Sequence, residues 1–332
     1  MKPFLVFLLL LTTSFSFAFD PEKPLKITVA QDGSGEYKTI QEALNNVPKD
    51  SERTTIISIK NGMYFEKLEI PSSKKNIQLI GENKEKTIIS YNDFSGKPLR
   101  PEDSKEGKTT YSTSTSYTLL IRADNCVLEN LTIENTAGRV GQAVALHTKC
   151  DKLIVKNCRL LGNQDTVYLD RDGVRNYLEN CYISGTTDFI FGATTAYFKK
   201  CTIESLQDSY ITAASTVEGE KYGFVFVDCQ LIAASDSVKK VYLGRPWRPF
   251  AQTVFINTKM GKHIIPAGWN PWIDKRFPDK DKTAYYAEYG SSGEGAKEIS
   301  KRVSWSHQLK KEDLKKYDLD NVLNDWNPKK QK

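Results

Sequence analysis

The chain has 332 residues, 39% of them hydrophobic and 27% charged, and a formal net charge of +6. That length is large for one compact core but not for a solenoid, whose size is set by how many repeats stack. No block of consecutive basic residues marks a nucleic-acid partner, and no apolar run is long enough for a typical spanning helix; the mild positive charge suits either an acidic partner or a lysine-rich solvated surface.

Residues 1–18 read as a signal peptide, with Lys2 as the basic end, an apolar stretch over 4–11, and Ser16-Phe17-Ala18 as a small-x-small cleavage site. No cysteine precedes Cys126, so no lipid anchor is expected near the cleavage point. The expectation is a secreted protein, extracellular or periplasmic, monomeric and without a membrane anchor, in which 19–332 form one domain. Residues 26–30 alternate like a short strand, and Gln31 to Tyr37 is rich in turn residues. Thr39 precedes Glu42 by three positions, a capping-box signal, and Ile40, Ala43, Leu44 and Val47 share one face. The spacing predicts a short helix over 39–47, suited to closing the open end of a solenoid. Strand-like runs follow at 54–59, 65–70, 77–80 and 87–90, and the polar stretch 93–116 predicts a long loop on one face.

From residue 126 a repeat becomes plain. Val127 to Ile133, Ile154 to Leu160, Tyr177 to Ile183, Tyr197 to Ile203, Val225 to Leu231 and Val254 to Met260 each read apolar–x–apolar, a polar corner, then small or apolar–x–apolar. The position after the corner falls at Leu131, Cys158, Cys181, Cys201, Cys229 and Thr258; the steps between them are unequal, so loops vary while strands stay fixed. Period-two alternation of aromatic and β-branched residues identifies strands with one buried face. Such a repeat predicts an all-β, right-handed parallel β-helix rather than a helical solenoid. After Met260 the pattern dissolves. Gly268-Trp269-Asn270-Pro271-Trp272 is a rigid aromatic loop, 285–289 a last strand, and 309–317 is helix-prone, with Asp320 as the N-cap of a final turn. This predicts a C-terminal helical tail along the outside of the solenoid.

Cys158, Cys181, Cys201 and Cys229 share one repeat position and should stack inside the core. Stacked Cα atoms about 5 Å apart are within disulfide range, and an exported protein meets oxidising surroundings; Cys181 with Cys201 is the best-placed pair. The alternative is a ladder of free, buried thiols. No Cys-x-x-Cys pair or Cys/His cluster marks a metal site.

Gln142, Asp165 and Asp188 follow one another at a single constant interval, the same that separates Cys158 from Cys181, so each aspartate stands at the same distance beyond a ladder cysteine. Neighbouring coils stack about 4.8 Å apart, so an amide and two carboxylates should form a column on one wall. Two carboxylates that close do not ionise alike, which yields an acid/base and an ionised partner. No Gly-x-Ser-x-Gly elbow appears, and His147, His263 and His307 read as structural or surface residues. Asp208 and Asp236 follow their own ladder cysteines at that same distance but lack flanking glycine and aromatic residues, and read as ordinary loop aspartates. In Leu243-Gly244-Arg245-Pro246-Trp247, an Arg245 paired with Asp188 would keep that carboxylate ionised and aimed, or be a purely structural ion pair. Tyr168, Phe191, Trp247 and Trp272 together suit an aromatic groove for sugar rings, although each alone is more often a core residue.

These blocks, with Val29 to Gly35, Gly141 to Leu146, Gln164 to Tyr168 and Gly185 to Gly192, resemble the pectin methylesterases (pectinesterases) over nearly the whole mature chain. The resemblance implies a right-handed parallel β-helix that removes methyl groups from the C6 esters of polygalacturonate without a metal or cofactor. It implies Asp188 as nucleophile, Asp165 as acid/base, Gln142 and Gln164 as oxyanion donors, Arg245 as the group orienting Asp188, and Tyr168, Phe191, Trp247 and Trp272 as groove residues for methyl-esterified homogalacturonan. The competing readings are a polyuronate lyase or glycoside hydrolase on the same architecture, a non-catalytic carbohydrate-binding solenoid, and a relative acting on other acyl esters or thioesters.

Overall fold

The computed structural model describes residues 23–104 and 107–330; the expected signal peptide lies outside them. Among those residues the apolar–x–apolar units become strands of three all-parallel sheets, of 11, 7 and 8 strands. Each strand bonds to its counterparts in the coils before and after. The chain therefore winds through all three sheets once per turn, as a right-handed parallel β-helix.

The alternation that builds the strands also fills the interior. Val155, Leu178, Phe198, Phe226 and Phe255 are register partners on successive coils of the 11-stranded sheet, and all five are fully buried. The rings of Phe198, Phe226 and Phe255 stack at 4.2 and 4.5 Å. The polar corner of the repeat has a conformational reason: Asn130, Asn157, Asn180, Lys200, Asp228 and Asn257 all lie at φ between 50° and 56°. Asn and Asp tolerate this left-handed region better than other side chains, so one residue per coil turns the chain from the first sheet into the next. The asparagines also form a ladder, Asn180 Nδ2 donating to Asn157 Oδ1 at 3.1 Å.

The cysteine ladder is present, but all six cysteines are free thiols. The Cys181–Cys201 bond is not formed. Each ladder thiol donates instead to a carbonyl two positions back and to one on the preceding coil, as Cys181 does to Glu179 and Val155, both at 3.4 Å. Burial pushes the Cys158 and Cys201 thiols well up, so they pack as small apolar groups.

The helix over Ile40–Asn46 forms as expected, with Thr39 and Glu42 closing the capping box and Ile40, Ala43 and Leu44 buried against the first coil. Three boundaries differ from the sequence expectations. The run 65–70 is two strands, Gly62–Phe65 and Leu68–Ile70, in different sheets, because the chain turns at Glu66 and Lys67 without a glycine or proline to announce it. Tyr285–Tyr289 is followed by one further strand, His307–Gln308. The tail is a 3-10 helix over Lys311–Tyr317 and a short α-helix over Leu319–Val322, with Asp318 rather than Asp320 at its N-cap position. Its Val322, Leu323 and Trp326 cover the outward apolar residues Ile154, Tyr177, Tyr197, Val225 and Val254 of the 11-stranded sheet. The loop 93–116 is ordered at its base by Asp93, which is fully buried and accepts from Lys67 at 2.6 Å and Lys97 at 2.9 Å.

Candidate active site

The residues singled out in the sequence meet on the outer face of the 7-stranded sheet. Gln142, Gln164, Asp165, Tyr168, Asp188, Phe191, Arg245, Trp247 and Trp272 all line one groove of about 440 Å³. Asp165 and Asp188 precede the paired strands Val167–Leu169 and Ile190–Gly192, and both are left-handed, at φ 67° and 50°. Each amide is held by the next coil: Asp165 N–H by Thr187 O at 3.1 Å, Asp188 N–H by Tyr210 O at 2.8 Å. Phe189 and Ile190 are buried in the core beyond Asp188, while Phe191 faces the groove. Gly192 follows at φ 123°, where an added Cβ would stand 1.9 Å from Leu169 O, so only glycine lets the two coils approach this closely.

The constant interval reports true register for the aspartates but not for Gln142. Gln142 bridges to Gln164 rather than to Asp165, whereas Leu146 pairs with Val167. Between these two points the earlier coil takes four steps and the later coil three. The earlier coil therefore carries one extra residue, and Ala145 and Leu146 both donate to Thr166 O. This bulge places amide beside amide and carboxylate beside carboxylate, in place of a single three-residue column.

Arg245 sets the electrostatics. Its Nε donates to Asp188 Oδ1 at 2.9 Å and its Nη2 to Oδ2 at 2.6 Å, a bidentate pair. The guanidinium carbon lies 3.9 Å from the Tyr210 ring centre and 3.7 Å from that of Trp272, so packing fixes its plane. Burial raises the Asp188 carboxyl from its ordinary value, and the two bonds from Arg245 oppose that rise. Asp165 is 7% exposed and has no ion-pair partner among the described residues; burial and then the neighbouring Asp188 charge push it well above the usual range. The two carboxyls are thus made unequal by one guanidinium.

His147, Tyr168, Phe191 and Ala213 are register partners on four successive coils; the last three form the floor of the groove, and His147 is buried beside them. Tyr168 stacks on Phe191 at 4.2 Å and on His147 at 4.5 Å, and Trp247 meets both Tyr168 and Phe191 edge-on. Trp272 sits at φ 44°, its N–H held by Asn270 Oδ1 at 2.8 Å, and Asn270 N–H bonds to Gly244 O beside Arg245. Trp269 of the same loop is buried in the core. Sequence reasoning missed Ser112, Thr113 and Ser114, which form a wall of the groove, and Tyr210, which supports Arg245. The wall belongs to a loop with no periodicity, and Tyr210 stands two residues beyond Asp208, which reads as an ordinary loop aspartate. Asp208 and Asp236 are loop residues: Asp208 accepts from the Lys239 and Lys240 amides and Asp236 pairs with Lys262.

The pectinesterase family model matches residues 26–325. A pectinesterase of Petunia integrifolia is 39% identical over 290 residues, covering 84% of this chain and 73% of the relative. Arabidopsis thaliana proteins named pectinesterase/pectinesterase inhibitor are longer, and the chain spans 37 to 53% of their length. Among solved structures, pectin methylesterase from carrot superposes with a TM-score of 0.79 at 33% identity, covering 90% of this chain and 93% of that one. A pectin methylesterase in complex with hexasaccharide VII gives 0.77 at 31%, covering 92% and 98%. Fold, sequence and groove agree, and the chain belongs to the pectinesterase family.

Proposed function

We propose that the chain is a carboxylic ester hydrolase that removes methyl groups from the C6 esters of polygalacturonate and releases methanol. The observation that carries this is the inequality of the two carboxyls: Arg245 holds Asp188 by two bonds, while Asp165, buried beside it, has no ion-pair partner among the described residues, and burial favours its protonated form. In this reading an Asp188 oxygen attacks the ester carbonyl carbon, and the negative charge moves onto the carbonyl oxygen. The side-chain amides of Gln142 and Gln164 donate to that oxygen. As the C–O bond to the methoxy group breaks, Asp165 gives it a proton and methanol departs, leaving an anhydride on Asp188. Asp165, now a carboxylate, takes a proton from water; the water oxygen attacks the anhydride carbonyl, the product carboxylate forms, and Asp188 is freed.

Tyr168, Phe191, Trp247 and Trp272 line the groove with apolar ring surface against which sugar rings can pack. The net positive charge favours a polyanionic chain. Among the described residues no helix is long and apolar enough to cross a membrane, and residues 1–18 direct export. Methanol and reducing ends measured together on methylated pectin test the proposal. Methanol without new reducing ends is the expected result; new chain ends, from hydrolysis or elimination, would point to a glycoside hydrolase or lyase.

A further inference from the structure

The wall Ser112–Ser114 is joined to the groove floor by one side chain. Among the described residues, the only hydrogen bond from this tip to the column of floor residues and their register partner is between Ser114 O and His147 Nδ1, at 3.1 Å. Its other bonds stay within its own turn, and its flanks are anchored elsewhere, Thr115 O accepting from Lys67 and Ser116 O from Asn135. The second ring nitrogen of His147, Nε2, lies 2.9 Å from Asp170 Oδ2. The ring is fully buried and lies flat on Tyr168, at an interplanar angle of 13°.

A carbonyl and a carboxylate both only accept. A histidine facing both must donate from both nitrogens to satisfy them, which requires the imidazolium. We propose that His147 is a positioning residue whose imidazolium clips the Ser112–Ser114 wall onto the groove floor and so sets the affinity for the substrate chain. This rests on the polyuronate reading given above.

Deprotonation has a defined consequence. The remaining proton stays on the nitrogen facing the carboxylate, the stronger acceptor. Nδ1 then turns a lone pair toward the Ser114 carbonyl, and the wall is released. The groups facing the ring set where this happens. Burial lowers the His147 pKa, and Asp170 opposes that. Asp170 is itself held well below the usual carboxylate range by His147, Lys149 (2.6 Å) and the Tyr168 hydroxyl. On the far side stands the Tyr117 ring, its hydroxyl on Glu69, which pairs with Arg122. Among the described residues no acid or base other than Asp170 bonds to the ring, so the clip tightens as pH falls and loosens as pH rises.

The test is equilibrium binding of a methyl-esterified oligogalacturonide, read by tryptophan fluorescence between about pH 5 and 8, with methanol release measured alongside. One charge-assisted hydrogen bond predicts that Kd rises about tenfold with pH in the unaltered chain. His147→Phe keeps the stack on Tyr168 and should show the weakened Kd at every pH, with kcat within about threefold. Asp170→Asn separates the clip from bulk structure. An Asn amide N–H can donate to Nε2 of a neutral ring, leaving Nδ1–H on Ser114 O, so Kd should stay tight and lose its pH dependence. A pH-independent Kd in the unaltered chain, or an Asp170→Asn profile that still follows pH, overturns the inference whether or not methanol is released. A pH-dependent Kd abolished by both variants supports it, and absent methanol release beside that result would overturn the esterase reading alone.

Discussion

Arg245→Gln is the perturbation most directly set by the geometry. Glutamine retains a planar amide between Tyr210 and Trp272 but removes the charge and the fork that grips both Asp188 oxygens. The Asp188 side chain is only 8% exposed and that of Arg245 19%, so water does not replace the lost partner. Breaking one side of a buried pair leaves an uncompensated charge, worth about 3 kcal/mol or more. Expressed in the barrier, this is roughly a 10²-fold loss of kcat at neutral pH. The pH dependence carries the sign. Burial already raises the Asp188 carboxyl and Arg245 opposes that rise. Without Arg245 the folded pKa moves further up, and because attack needs the carboxylate, the acid limb of kcat/KM shifts to higher pH. Methanol release followed across pH, with near-ultraviolet circular dichroism to confirm packing, gives both quantities. A folded variant with kcat within about threefold of the parent and an unmoved acid limb would refute the argument that Arg245 controls the nucleophile.

Asp188→Ala should abolish methanol release while leaving the fold intact, at a lowered melting temperature because Arg245 loses its buried partner; measurable turnover in the folded variant would overturn the nucleophile assignment. Asp165→Asn should slow turnover by about 10²–10⁴-fold yet stabilise the protein. The raised folded pKa of Asp165 means that its stability contribution is full below the unfolded carboxylate pKa and is lost as pH rises through the folded value. The variant should therefore be more stable than the parent at about pH 8, by about 1–2 kcal/mol, with a smaller gap at about pH 4; calorimetry at both pH values checks this. Phe226→Ala opens a cavity between two stacked rings in a fully buried column and should cost about 3–5 kcal/mol in urea denaturation.

The repeat, and with it the fold, was legible because a solenoid writes its geometry locally. Each coil must alternate apolar residues to fill its own slice of core, and each corner must offer a residue that accepts positive φ, so Asn130, Asn157, Asn180 and Asp228 recur in plain view. The Asp165–Asp188 pair was legible for the same reason, since equal spacing from Cys158 and Cys181 keeps the two aspartates in register. Equal spacing misled where a bulge intervened: Gln142 shares the interval yet stands beside Gln164, because one extra residue in its coil cannot be seen until the strands are paired. The turn at Glu66, the Ser112–Ser114 wall and the placing of His147 over Tyr168 depend on contacts between segments far apart in the chain, which no local pattern encodes. The local repeat fixes which side chains each coil has to offer. Packing fixes which of them face one another across the groove, because ionisation and hydrogen bonding depend on distances that arise when coils and loops come together.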